Sequence, residues 1–128
     1  LARESDLPPG RVVCLGSPLA GSGAARAVAR RGLSMLVGRS LPLLMEGVTL
    51  PRDREVGSIA GTRALGAGRW LSRIDGASDG TVALDETRLP GLADHLALPV
   101  SHSGLMISRA AAAATVQFLH SGLFAVAD

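Results

Sequence analysis

Apolar positions along this chain fall mostly in short continuous runs, and the runs are separated by glycine, serine and proline. The first, Arg11-Val12-Val13-Cys14-Leu15-Gly16, follows the turn sequence Leu7-Pro8-Pro9-Gly10. Unbroken apolar character over so few residues predicts a parallel strand, covered on its faces rather than alternating between core and water. The loop Gly16 to Gly23 follows, and Ala24 to Arg31 reads as a helix stopped by Gly32. Leu33 to Met45 is apolar and in part helical, broken at Gly38 and Pro42, with Pro42 suited to a first helical turn. Residues 33–54 are expected to form a cap or lid insertion.

Val56 to Ala60 is a second strand candidate, and Thr62 to Ala77 reads as a Gly- and Arg-rich loop. His95 to Val100 predicts a third strand, with Pro99 best placed at its end. From about Gly104 to His120 the period becomes helical. Ile107, Ala111, Ala114 and Phe118 form one face there, with Arg109, Gln117 and His120 opposite. This order of elements predicts an α/β sandwich with right-handed crossovers, in one domain over residues 1–128.

Composition narrows the function. The 128 residues are 47% apolar, enough for a core, and no apolar run reaches the roughly 18 residues of a membrane span. All 13 basic residues are Arg, yet the net charge is only +2, and two Phe, one Trp and no Tyr give little for bases to stack on. A nucleic-acid partner is therefore not expected. Cys14 stands alone within a strand pattern, which excludes an internal disulfide and a cysteine-based metal site. Three scattered His lack ligand spacing, so neither a metal nor another cofactor is expected. The compartment is left open, with a soluble, cytoplasmic protein as the expectation.

The chemistry-bearing segments are Ser78-Asp79-Gly80-Thr81-Val82 and Ser101-His102-Ser103-Gly104. In open α/β sheets, reactive groups gather beyond the carboxyl ends of the strands. The loop with Ser17 to Ser22 follows the first strand, Asp79 lies after the second, and His102 after the third. A carboxylate behind an imidazole fixes its tautomer and stabilises the imidazolium, while the neutral ring shuttles the proton of an attacking hydroxyl. Gly80 would let the chain turn Asp79 inward, Gly104 would leave room beside the imidazole, and Ser101 and Ser103 would cap the final helix. By spacing alone, Asp75, Asp85 and Asp94 compete as the acid, and His95 and His120 as the base.

Three stretches bear a family resemblance. Val12-Val13-Cys14-Leu15-Gly16-Ser17-Pro18-Leu19-Ala20-Gly21-Ser22 resembles the strand and loop after the nucleophile helix of lipase-like α/β hydrolases. Ser78-Asp79-Gly80-Thr81-Val82 resembles their acid-bearing loop, and Ser101-His102-Ser103-Gly104-Leu105 their histidine segment. The matches fall in the family's order. The resemblance implies the C-terminal half of a three-layer α/β-hydrolase sandwich with mostly parallel strands. It also implies Asp79 as triad acid, His102 as triad base, and an ester or lipid substrate. Ser17, Leu19, Gly80, Ser103 and Gly104 become candidate pocket or supporting residues, although Leu19 stands where many lipases have His.

The family's G-x-S-x-G elbow is not found before Arg11. The sequence starts without Met or a signal-peptide pattern, so it is expected to begin mid-protein, with the nucleophilic Ser upstream of residue 1. Ser40, in Gly38-Arg39-Ser40-Leu41-Pro42, has the order Ser, Asp, His but carries Pro in place of the second elbow glycine. The first strand should then lack a neighbour and present an apolar edge, to be covered by the missing half or a second chain. The alternative function is a non-catalytic interaction or scaffold module built on a degenerate hydrolase fold.

Overall fold

The computed structural model describes residues 8–22, 47–64 and 78–124. Among these residues three strands, β1 (Val12–Leu15), β2 (Val56–Gly61) and β3 (Asp94–Leu98), form one sheet in the order β1-β2-β3. Both pairings are parallel: Cys14 sits opposite Ser58, and Ser58 opposite His95. A 3-10 turn, Leu84–Thr87, lies between β2 and β3. Two helices follow the sheet, α1 (His102–Leu105) and α2 (Arg109–Ser121). The architecture is α/β with a parallel sheet.

The central strand explains the core. Val56 to Gly61 is buried at every position, because β2 has a neighbour on each side and cover on each face. Ile59 packs with Leu105, Ala111, Ala114, Phe118 and Phe124, so α2 lies against one face of the sheet. Gly57 is required by that packing: a Cβ there would come within 2.6 Å of the Phe118 ring and 2.8 Å of Phe124. The two rings stack at a centroid distance of 4.8 Å. Burying a side chain such as Phe118 contributes about 1.5–3 kcal/mol.

Arg11 fastens the far end of α2 to β1. Its guanidinium donates to the carbonyls of Leu119 and His120 at 3.0 and 2.9 Å, and pairs with Glu55 at 2.6 Å. These bonds satisfy carbonyls that a helix C-terminus leaves without partners. Gly122 completes the end in the left-handed conformation, with φ +81°.

Several elements differ from expectation. The third strand runs from Asp94 to Leu98 instead of His95 to Val100, since Val100 N turns back to the Leu98 carbonyl. The single helix expected from Gly104 to His120 is two helices. Ser108 interrupts it by accepting from Ala111 N as the N-cap of α2. Ile107, expected on the apolar face, therefore falls in the connection and is 87% exposed, while Leu105 takes its place in the core. Of the two hydroxyls expected to cap the final helix, Ser101 caps α1 through Gly104 N and Ser103 faces solvent.

β1 is half-buried and Leu15 is exposed, as a strand at the rim of the sheet would be. Of residues 33–54, only 47–54 are described; they run without helix or strand, and Val48 N bonds the Leu19 carbonyl. The helix expected at 24–31 and residues 33–46 lie outside the described residues. Among the described residues, no helix is long and apolar enough to cross a membrane.

Candidate active site

Three loops leave the sheet at its carboxyl end and meet there. Gly16 follows β1, with its N–H bonded to the Ile59 carbonyl at 2.8 Å. Thr62 and Arg63, beyond β2, donate to the Leu98 and Val100 carbonyls, which draws the segment before His102 over the end of β2. Gly61 makes this closure feasible: a Cβ there would lie 2.5 Å from the Val100 carbonyl and 2.8 Å from Asp79 Cβ.

The Asp79 loop is organised around its own carboxylate. Ser78 and Ala83 form an antiparallel bridge, and Gly80 turns the chain at φ +95°. Thr81 N and Val82 N both donate to Asp79 Oδ1, at 2.9 and 2.8 Å. The remaining oxygen, Oδ2, accepts from His102 Nδ1 at 2.8 Å. Asp79 is only 2% exposed, so a charge that would be costly to bury has three donors to offset its desolvation.

His102 is the first residue of α1, and its backbone N–H donates to the Asp79 carbonyl at 3.1 Å. An ionised carboxylate only accepts, so Nδ1 carries the proton and Nε2 keeps its lone pair. The His102 side chain is 39% exposed, so part of the ring stays open to solvent while the carboxylate is sealed. A basic nitrogen backed by a buried carboxylate is suited to taking a proton from a hydroxyl or water and returning it.

The other residues singled out from the sequence take different positions. Ser17 is half-buried, and its carbonyl accepts from Leu19 N at 2.9 Å. Leu19 is buried. Its neighbour Ala20 donates to the Glu86 carbonyl, linking this loop to the 3-10 turn after Asp79. Gly104 lies against Ser101 and Val100; the close approach to the imidazole is made by Gly16 instead. A Cβ on Gly16 would sit 3.0 Å from His102 Nδ1. Sequence reading missed this function of Gly16, and that of Gly61, because each depends on contact with a distant loop. Ser40 lies outside the described residues.

Two of the competing titratable groups, Asp94 and His95, are engaged elsewhere. Asp94 accepts from His95 N and Phe124 N, each at 2.7 Å, tying the chain after α2 to β3. His95 pairs through Nε2 with the Thr87 hydroxyl at 2.8 Å. Burial, and then the nearby Arg88, lower its pKa. Asp85 and His120 are exposed, and Asp75 lies outside the described residues. Burial raises the pKa of the Cys14 thiol, which keeps it protonated. Among the described residues, no three His, Cys, Asp or Glu side chains are grouped to hold a metal ion.

The described residues form an α/β fold whose parallel sheet brings Asp79 and His102 together beyond its carboxyl end. The chain is similar to the crystal structure of Bacillus licheniformis lipase BlEst2 in its mature form. The TM-score is 0.63 at 19% identity, over 87% of this chain and 54% of that one. It is also similar to the propeptide form of BlEst2, with TM-score 0.60 and 20% identity over 74% of this chain and 26% of that one. The chain thus spans about half the length of the mature lipase. No family model matches it, and no curated protein does.

Proposed function

We propose that this chain supplies the acid and base of a serine hydrolase that cleaves carboxylic esters, with Asp79 as acid and His102 as base. The observation that carries this reading is the 2.8 Å bond from His102 Nδ1 to the buried Asp79 carboxylate. A serine from a segment preceding residue 1 completes the triad. β1 supports that placement: it pairs only with β2 among the described residues, leaving an edge for another parallel strand.

In the first step His102 Nε2 takes the proton of the serine hydroxyl as its oxygen attacks the ester carbonyl. The ring, now an imidazolium, gives that proton to the departing alkoxide, leaving an acyl-enzyme and an alcohol. Water then attacks the acyl carbon, with Nε2 again taking its proton and returning it to the serine. Asp79 stays ionised throughout and holds the imidazolium. A lipid or small-molecule ester is the substrate class, in keeping with the similarity to a lipase.

The test is labelling of the chain together with the segment proposed to precede residue 1 by a fluorophosphonate probe, alongside hydrolysis of p-nitrophenyl esters. Labelling of a serine in a G-x-S-x-G segment, lost in His102→Ala while the fold persists, is the expected result. Labelling of Ser40 instead would place the nucleophile inside this chain. Neither labelling nor turnover would favour the non-catalytic scaffold and overturn the proposal.

A further inference from the structure

We infer that Gly16 is a positioning residue that seats the His102 imidazole against Asp79. Its catalytic meaning rests on the hydrolase reading above. Gly16 has φ +57°, and its backbone is pinned to β2 through the 2.8 Å bond to the Ile59 carbonyl. Any side chain there points at the imidazole. An added Cβ would lie 3.0 Å from Nδ1 and 3.1 Å from Cε1 of His102, and 3.0 Å from Cδ1 of Leu105.

These neighbours must each give way by a few tenths of an ångström for a side chain to fit. Leu105 is 2% exposed and packed with Ile59 and Phe118. A ring displaced from Gly16 strains its 2.8 Å bond to Asp79 Oδ2, because Asp79 itself is fixed by Thr81 N and Val82 N. The absence of a side chain at Gly16 therefore leaves the ring room to lie at bonding distance from the carboxylate. Without a Cβ at Gly16, the loop after β1 leaves space for the ring, and the bond to Asp79 holds one orientation and one tautomer.

The test compares imidazole 15N spectra of the protein with those of Gly16→Ala and Gly91→Ala. Gly91 has φ +94°, and an added Cβ there would meet only Leu50 Cδ1 at 3.7 Å. Alanine at 91 thus carries left-handed backbone strain without touching His102. The expected result is the Nδ1–H form of His102 in the unchanged protein and in Gly91→Ala, and a mixture of tautomers in Gly16→Ala. For ester hydrolysis, kcat should fall about 100-fold in Gly16→Ala with KM changed by less than about twofold.

A folded Gly16→Ala protein with an unmoved His102 tautomer overturns the inference. If Gly16→Ala does not fold, Gly16→Ala/His102→Ala decides the matter. Folding regained on removing the imidazole supports the clash, whereas failure in both backgrounds overturns it. Because the spectra need no turnover, a tautomer change in a protein that stays inactive with the proposed serine-bearing segment present would sink the hydrolase reading and leave the seat at Gly16 standing.

Discussion

His102 is bound to Asp79 twice: its backbone N–H donates to the Asp79 carbonyl at 3.1 Å, and its Nδ1 donates to the carboxylate at 2.8 Å. The backbone bond fixes where the histidine starts its helix, and the side-chain bond fixes which nitrogen carries the proton. The two functions are separable by mutation.

Asp79→Asn should separate them. Thr81 N and Val82 N will hold the amide oxygen at the Oδ1 position, so the NH2 group must face His102 Nδ1. The imidazole then accepts at Nδ1 and carries its proton on Nε2, where it no longer serves as a base. Under the proposed function, ester turnover should fall about 10⁴-fold, with the melting transition nearly unchanged. Steady-state kinetics beside a thermal melt check this, and a loss of fold would contradict it.

Gly57→Ala should strain the core. Its Cβ would fall 2.6 Å from the Phe118 ring, which is fully buried and has no space to move. Overpacking of this kind costs about 1–3 kcal/mol. Adding Phe118→Leu should cost less in the Gly57→Ala background than in the unchanged protein. Denaturant midpoints of the two single variants and the double variant give the coupling.

His95 should make stability depend on pH. The one Thr87 hydroxyl hydrogen is donated to the Leu84 carbonyl at 2.6 Å, so the hydroxyl accepts from His95 Nε2–H. Burial, and then Arg88, lower the His95 pKa below its ordinary value of 6.5, against an upward pull from Asp94. The unfolded chain then binds the proton more readily than the folded one. His95's contribution to stability is present above pH 6.5 and is lost as pH falls through the lowered folded value. Melting temperatures of wild type and His95→Gln should converge below pH 6.5; a constant gap would refute the linkage.

The three serines around α1 and α2 should differ in effect. Ser108 accepts from Ala111 N and Ser101 from Gly104 N, each at 3.2 Å, whereas Ser103 faces solvent. Ser108→Ala and Ser101→Ala should each cost about 1 kcal/mol. Ser103→Ala should stay within about 0.5 kcal/mol. Chemical denaturation of the three variants checks the order.

The α/β class and three strands were legible because short apolar runs between turn residues constrain the local chain whatever its neighbours. The Asp-Gly turn was legible too, since Gly80 and the Asp79 carboxylate organise their loop among adjacent residues. What failed locally was the final helix. Its apolar period runs through Ile107, but the Ser108 cap restarts the helix and leaves Ile107 in water.

By itself, then, the sequence determined the runs that become strands, the residue types in the turns, and the order of acid before histidine. Spacing left several carboxylates and imidazoles open, and only the resemblance pointed to Asp79 and His102. The tertiary structure decided how the others are committed, Asp94 to His95 N and Phe124 N and His95 to Thr87, while Asp79 meets His102. It also decided that Gly16 and Gly61 must lack side chains. The reason is physical: a turn is set by neighbouring residues, whereas the space beside a ring is set by loops brought together when the parallel sheet forms.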